Sequence, residues 1–321
     1  MTLEVLLVGA GAVGQVYGRH LQLGGARTSF YVRPKAAEAI RDGMTMYPLR
    51  KKDEREPVVY RADAVYTDLA KVAERRWDQV WLCLPTTALD PAWLAEIAAA
   101  VGRATVVALP PGMDSFERIQ AAFPGRAVVS ALIGMISYQA PLPGETVPRP
   151  GMAYLFPPGR PSAFGGPEAS AVVQALRAGG CPAKEDPNAG AASAFGSGLL
   201  MPNIAALETA GWSIAKLRRG DHLDLAAAAS REAMAVAAAR MGVDPPMVRE
   251  LIRGPILKLA WAAVPHLLPI DVETYVAYHF TKVGEQTREL LEEYRREGEA
   301  RGLPTEAIVK LAAALPPLPE G

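Results

Sequence analysis

The chain opens on Leu3-Glu4-Val5-Leu6-Leu7-Val8-Gly9-Ala10-Gly11-Ala12-Val13-Gly14 and continues through Gln15, Val16, Tyr17 and Gly18. A short apolar run breaks into glycines, and Val13, Val16, Tyr17 and Leu21 then follow at near-helical spacing, so the stretch reads as strand, tight turn and helix. In that order the glycines match a dinucleotide-binding turn. Gly9 permits the bend, Gly11 lets backbone approach a pyrophosphate, and Gly14 lets the helix pack close to the strand. Backbone N–H groups of the first helical residues, Ala12 and Val13 among them, face the phosphates, where the helix dipole favours negative charge.

Working outward, Thr28 to Val32 reads as a second strand that ends at Arg33-Pro34-Lys35, the place where such a fold meets the adenosine ribose. An acid here would hold a free 2′-hydroxyl, whereas Arg33, supported by Lys35, suits a 2′-phosphate; the expected cofactor is NADP. Val58 to Tyr66 alternates loosely as a peripheral strand or hairpin, with Lys51 to Glu56 as its exposed loop. Trp77 to Leu84 is the next core strand and ends in Pro85-Thr86-Thr87, and Asp90-Pro91 then caps and opens a helix through Ala100. The strand Thr105 to Leu109 ends in Pro110-Pro111-Gly112, and a helix from Asp114 to Phe123 leads to the strand Ala127 to Ala131. Strands alternating with helices call for a doubly wound parallel Rossmann sheet, whose ligands bind at the carboxyl ends of the strands. The glycine turn, Arg33, Leu84, Pro85 and Pro111 should line one crevice. Met152 to Phe156 is a short strand and Glu168 to Ala178 a helix. Beyond a boundary near residues 183–192 the composition turns to alanine-rich helix over Leu199–Ala210, Leu223–Met241, Pro246–Val264 and Val272–Gly302. The expected division is a Rossmann domain over 1–185 and an all-α domain over 186–321.

The 321 residues favour two domains, and half of them being hydrophobic with about a fifth charged marks a globular chain. Zero formal net charge offers no nucleic-acid footprint. Cys83 and Cys181 match no metal spacing. The first strand begins at once, with no basic segment ahead of an apolar stretch, and no uninterrupted apolar run reaches membrane-spanning length, so a cytoplasmic chain without membrane partner is expected.

The pattern resembles the ketopantoate reductase (2-dehydropantoate 2-reductase) family. The carriers are Gly9 to Gly14 with Tyr17-Gly18, Arg33, Phe164-Gly165-Gly166-Pro167, Arg231-Glu232-Ala233 followed by Ala239-Arg240-Met241-Gly242-Val243, and Gly298 to Thr305. The resemblance implies an NADP-binding Rossmann domain joined to a helical domain. It also implies reduction of a 2-keto acid in pantothenate biosynthesis, with a lysine as general acid, a glutamate and serine holding substrate, and asparagines and a second lysine in the cofactor cleft. Several of those positions differ here. The cofactor-domain lysine falls at about Pro85 and an asparagine at Pro111, the catalytic lysine falls at Ser197-Gly198, and the substrate glutamate near Glu285-Gln286. Asn203 is the residue that could match a family asparagine, beside Pro202.

Hydride delivery to a ketone leaves an alkoxide that an acid or cation must meet. The candidates are His279 and Lys282, three apart like Lys282 and Glu285 and so on one helical face, with Arg288 as a second anion binder. Glu208 lies in an apolar segment where an unpaired carboxylate is costly to bury, and Thr209, Trp212 and Ser213 stand near it as possible pocket lining. His20 and His266 read as structural. The leading expectation is an NADP-dependent reductase of a small carboxylate-bearing ketone, with a homodimer through the alanine-rich helices possible. The alternatives are an opine or imino-acid dehydrogenase and a catalytically silent NADP-binding sensor.

Overall fold

A computed structural model describes residues 2–49 and 55–318. Most of the loop expected at Lys51 to Glu56 lies outside them. The chain divides into two units, Met1–Gly190 and Ala191–Gly321.

In the first unit β1 (Glu4–Val8) is buried on both sides. Val5 and Leu7 enter one core while Leu6 and Val8 enter another, the period-two alternation of a central strand covered on both faces. β1 pairs in parallel with β2 (Arg27–Tyr31) on one side and, across the chain reversal, with β6 (Gln79–Leu82) on the other. The strands between them in sequence are β3 (Met44–Pro48), β4 (Val58–Tyr60) and β5 (Ala64–Tyr66). β7 (Thr105–Ala108) and β8 (Val128–Leu132) extend the parallel series beyond β6. After β9 (Ile136–Ala140) and β10 (Gly151–Leu155), β11 (Ser162–Gly165) joins β8 antiparallel, and β12 (Ala183–Glu185) joins β11 parallel. The main sheet therefore runs β12-β11-β8-β7-β6-β1-β2-β5.

The wholly parallel sheet expected from the sequence is thus parallel only from β5 to β8. The chain from 58 to 66 is not one hairpin either: β4 pairs with β3 and β5 with β2, so the two strands serve different sheets. The second sheet, β4-β3-β10-β9, takes most of the strand expected at Met152 to Phe156 into β10, which starts one residue earlier and ends at Leu155.

Helix α1 (Ala12–Leu23) lies with α6 (Ala169–Ala178) on the face that shares its core with β10. The opposite core is closed by α3 (Leu69–Ala73), α4 (Pro91–Ala100) and α5 (Met113–Ala122), and α2 (Pro34–Ile40) follows β2. As the sequence predicts, Asp90 caps α4, accepting from Trp93 N at 2.9 Å, with Pro91 in its first turn.

The second unit is helical, with no strand among its described residues. α7 (Ala189–Thr209) begins at the division and is followed by α8 (Ile214–Leu217), α9 (His222–Met241), α10 (Gly254–Leu267), α11 (Val272–Lys282), α12 (Gly284–Ala300) and α13 (Glu306–Ala313). The long helix expected from Val272 to Gly302 breaks at Val283, whose φ and ψ of −114° and 23° are not helical. Glu285 consequently starts a different helix from Lys282, and the shared face predicted for that pair does not form. Among the described residues one helix, Ala189–Thr209, is long and apolar enough to cross a membrane by length and mean composition, although Ser193, Ser197, Asn203 and Glu208 interrupt it, and 61% of its apolar window is buried inside the protein. The pair α10 and α11 passes the same test only jointly, bent by 104°.

The segments that carry the resemblance are close-approach points. Gly298 leaves no room for a side chain, since a Cβ there would stand 2.4 Å from Thr305 Cγ2 and 2.9 Å from Val236 Cγ2. Glu232 accepts from Ala307 N and Ile308 N at 3.0–3.1 Å and so satisfies the start of α13.

Candidate functional site: a glycine turn and a set of helix-borne polar groups

Each glycine of the first turn meets a different steric demand. Gly9 has φ of 99°, in the region that favours glycine, and a Cβ there would stand 2.6 Å from the Cys83 carbonyl oxygen and 3.1 Å from Leu84 Cδ2. Gly14 sits in α1, where a Cβ would fall 2.3 Å from the Gly9 carbonyl oxygen. Both residues are needed for packing. Gly11 is not: its backbone is extended, with φ −70° and ψ −178°, and a Cβ there would meet nothing within 4 Å. The protein itself has no use for glycine at position 11, so the open space before it is the part of the turn shaped for something else.

Gly11 is the N-cap of α1 and no side chain caps that helix. The first N–H groups of an α-helix have no intrahelical partner, so those of Ala12, Val13 and Gly14 are directed at this open side. The turn is braced by Gly9 N donating to Tyr31 O at 3.0 Å and by the buried Gln15, whose Nε2 donates to Ala10 O at 2.8 Å. Sequence reasoning passed over Gln15; a lone amide among the apolar positions of the helix was the available signal.

Arg33 follows β2, whose Tyr31 lies level with Val8 of β1. It is exposed, it is the N-cap of α2, and neither it nor Lys35 makes an ion pair among the described residues. Leu84 is half-buried beside Gly9, and the exposed Pro85 starts a single 3-10 turn over Thr86–Ala88. Past β7, Gly112 has φ of 92° and starts α5 without a side-chain cap, with Pro111 half-buried ahead of it. An uncapped helix start, an open Cβ position and an unpaired guanidinium at the carboxyl ends of adjacent parallel strands fit the pyrophosphate and ribose phosphate of a dinucleotide.

His20 is structural. Its Nδ1 lies 2.7 Å from Gly179 O and its Nε2 3.2 Å from Tyr154 Oη, tying α1 to the end of α6 and to the second sheet. Burial lowers its pKa, with the Arg19 charge adding to the effect.

In the helical unit the polar groups are more committed than the sequence suggests. Glu208 is not an unpaired carboxylate. Its side chain is 9% exposed and receives both arms of Arg288, at 2.8 and 3.4 Å. Arg288 also donates to Gly284 O at 3.0 Å and Pro316 O at 2.7 Å, so the residue expected to bind an anion is engaged with the protein. Asn203 is buried and spent on packing: its Nδ2 donates to Leu199 O at 2.9 Å and its Oδ1 accepts from Trp261 Nε1 at 3.1 Å, joining α7 to α10. Thr209 Oγ1 donates back to Ala206 O, and Ser213 caps α8 by accepting from Lys216 N. Trp212 turns the chain at φ of 60°. These three are helix-end devices and not a pocket lining.

His279 and Lys282 do occupy the last turn of α11. Burial, with a smaller contribution from the Lys282 charge, lowers the His279 pKa, and its ring stacks on Tyr275 at 5.6 Å. Lys282 is exposed, with Nζ 3.3 Å from Tyr278 Oη and 4.7 Å above the Tyr278 ring. No group of three or more metal-ligating side chains occurs among the described residues.

Comparison with known proteins follows this geometry. The profile of the ketopantoate reductase PanE/ApbA family matches residues 5–147. No curated protein matches significantly. Among solved structures, a PanE/ApbA family ketopantoate reductase from Ralstonia eutropha JMP134 is 20% identical at a TM-score of 0.72, over 97% of this chain and 96% of that one. A 2-dehydropantoate 2-reductase from Methylococcus capsulatus is 19% identical at 0.71, over 97% and 95%. A D-mandelate dehydrogenase, solved with NADH and anilino(oxo)acetate, is 13% identical at 0.69, over 97% and 96%. At these identities the structures share the fold. The profile match makes the first 147 residues similar to the ketopantoate reductase PanE/ApbA family and, with the shared fold, supports a pyridine-nucleotide-dependent oxidoreductase.

Proposed function

We propose that this chain belongs to the ketopantoate reductase family and is an NADP-dependent reductase of a small 2-keto acid. The observation that carries the cofactor reading is the combination of Gly11, whose missing side chain serves no contact within the protein, with the unpaired Arg33 at the end of β2. The N–H groups of Ala12, Val13 and Gly14 would hold the pyrophosphate, and Arg33 with Lys35 the 2′-phosphate. When bound, the reduced nicotinamide supplies the hydride. The protein must supply cofactor orientation, a grip on the substrate carboxylate and a proton for the new hydroxyl.

For the proton and the carboxylate we assign Lys282 over His279. Lys282 carries its charge into solvent at the end of α11, whereas burial favours the neutral form of His279 and leaves it little to donate at neutral pH. Glu208 and Asn203 are left with positioning roles by their internal bonds. The resemblance places a lysine just ahead of Leu199, where this chain has Ser197-Gly198, so the natural substrate need not be ketopantoate. For the same reason an imino-acid or opine dehydrogenase remains the second reading, because a C=N bond protonated in solution makes less demand on an enzymic acid.

The test is a turnover screen with NADPH over ketopantoate, other 2-keto acids and keto acid plus amino acid pairs. Turnover of a 2-keto acid alone, lowered at least tenfold by Lys282→Ala, supports the proposal. Turnover only with the paired substrates identifies the opine enzyme, and NADPH binding with no turnover across the panel identifies a sensor.

A further inference from the structure

The helical unit contains a cavity of about 460 Å³ whose walls come from α9 and from the 3-10 turn Met247–Leu251 and the first residues of α10 that follow it. Asp224, Ala227 and Arg231 stand at i, i+3 and i+7 on one face of α9. Glu250, Arg253 and Gly254 close the other side. The two walls are held together where Gly254 meets Asp224, since a Cβ at Gly254 would overlap the Asp224 carboxylate.

The charges in this cavity do not neutralise one another. Asp224 is paired with Lys258, at 3.6 Å, and Glu250 with Arg249, at 3.0 Å. The two arginines have no carboxylate. Arg231 donates one N–H to Ile252 O and Arg253 donates Nε to Glu250 O, so both guanidinium groups are anchored to backbone carbonyls and neither joins an ion pair among the described residues. An arginine side chain carries five donors in a planar fork suited to carboxylate and phosphate, and most of those donors are still unspent here. The space exceeds what a bare ion needs and falls in the range of small-molecule sites.

We infer that this groove is a binding site for a small organic oxyanion, a carboxylate or a phosphate held between Arg231 and Arg253. The site uses neither the glycine turn nor Lys282, so it stands or falls apart from the proposed reductase activity.

The test is calorimetric titration of the full chain at low ionic strength with inorganic phosphate and, separately, with succinate, repeated on Arg231→Gln and Arg253→Gln. All three proteins keep Arg33, so any phosphate taken up at the glycine turn is common background. The expected result is binding of at least one anion that weakens tenfold or more in both variants, while NADPH titrations of the variants match the parent. Tighter phosphate points to a phosphorylated ligand and tighter succinate to a dicarboxylate. Arg231 also ties down Ile252, so thermal melting checks its variant, and the exposed Arg253 carries the test if Arg231→Gln does not fold. Binding of neither anion, or equal binding by parent and Arg253→Gln, overturns the inference.

Discussion

Gly11 and Gly14 stand three residues apart in one motif, yet substitution should separate their roles. Gly14→Ala drives a Cβ to 2.3 Å from the Gly9 carbonyl oxygen and should cost roughly 1–3 kcal/mol of stability, read by thermal or urea unfolding. Gly11→Ala meets no protein atom within 4 Å and should leave stability within about 0.5 kcal/mol, while weakening NADPH binding at least tenfold in a fluorescence titration. Equal effects of the two on stability would mean that Gly11 is only a packing residue. Glu208 makes a different prediction. Glu208→Ala strands the partly buried Arg288 guanidinium and should destabilise by about 2–4 kcal/mol in the same unfolding assay, less than for a fully buried pair because Arg288 keeps some solvent. A variant as stable as the parent would show that the pair with Arg288 does not hold the fold.

The helix that presents the glycine turn is held at its far end by His20, and this gives α1 a pH dependence. His20 is enclosed by Arg19 on its own helix, by Tyr154 and Phe156 from the second sheet, and by the Gly179 carbonyl. Its folded pKa lies below the unfolded value of 6.5, as does that of His279, so the unfolded chain takes up protons first. Their contribution to stability is complete above pH 6.5 and is lost as the pH falls below it, by up to about 1.4 kcal/mol per pH unit for each histidine. Melting curves from pH 7.5 to 5 should show that fall, shallower in His20→Gln; a profile flat through pH 6 would contradict the assigned burial. At this scale the sequence was most legible where periodicity and punctuation agreed, as in β1, α1 and the Asp90-Pro91 start of α4. It was least legible where tertiary pairing decided the outcome. Nothing local in Val58 to Tyr66 says that its two halves join different sheets, and the break at Val283 falls among Thr281, Val283 and Gly284, weak helix formers whose signal is masked by the helical charge spacing on either side. The pairing of Glu208 with Arg288 joins residues 80 apart, and only a fold brings such groups together.

In the whole molecule the proposed cofactor groups lie in the Rossmann unit and the proposed acid, Lys282, in the helical unit. The fold class was readable from the glycine turn and the alternation that follows it, and the dispersed GEARGLPT-type segments carried the family resemblance, because close backbone approach leaves glycines at fixed spacings. The reacting groups were harder to read. The polar residues that the sequence singled out in α7 are consumed by internal bonds, and Ser197-Gly198 stand where the resemblance expects a lysine. The proposed function depends on selection of the 2′-phosphate of NADP by the unpaired Arg33. Its most direct measurement is a parallel fluorescence titration of the parent and Arg33→Ala with NADPH and NADH. The predicted result is tighter binding of NADPH than NADH by the parent, with Arg33→Ala losing roughly 10–100-fold for NADPH and little for NADH, as expected for charge-assisted hydrogen bonds of about 1.5–3 kcal/mol. Equal or tighter binding of NADH by the parent, or an NADPH affinity untouched by Arg33→Ala, would contradict it.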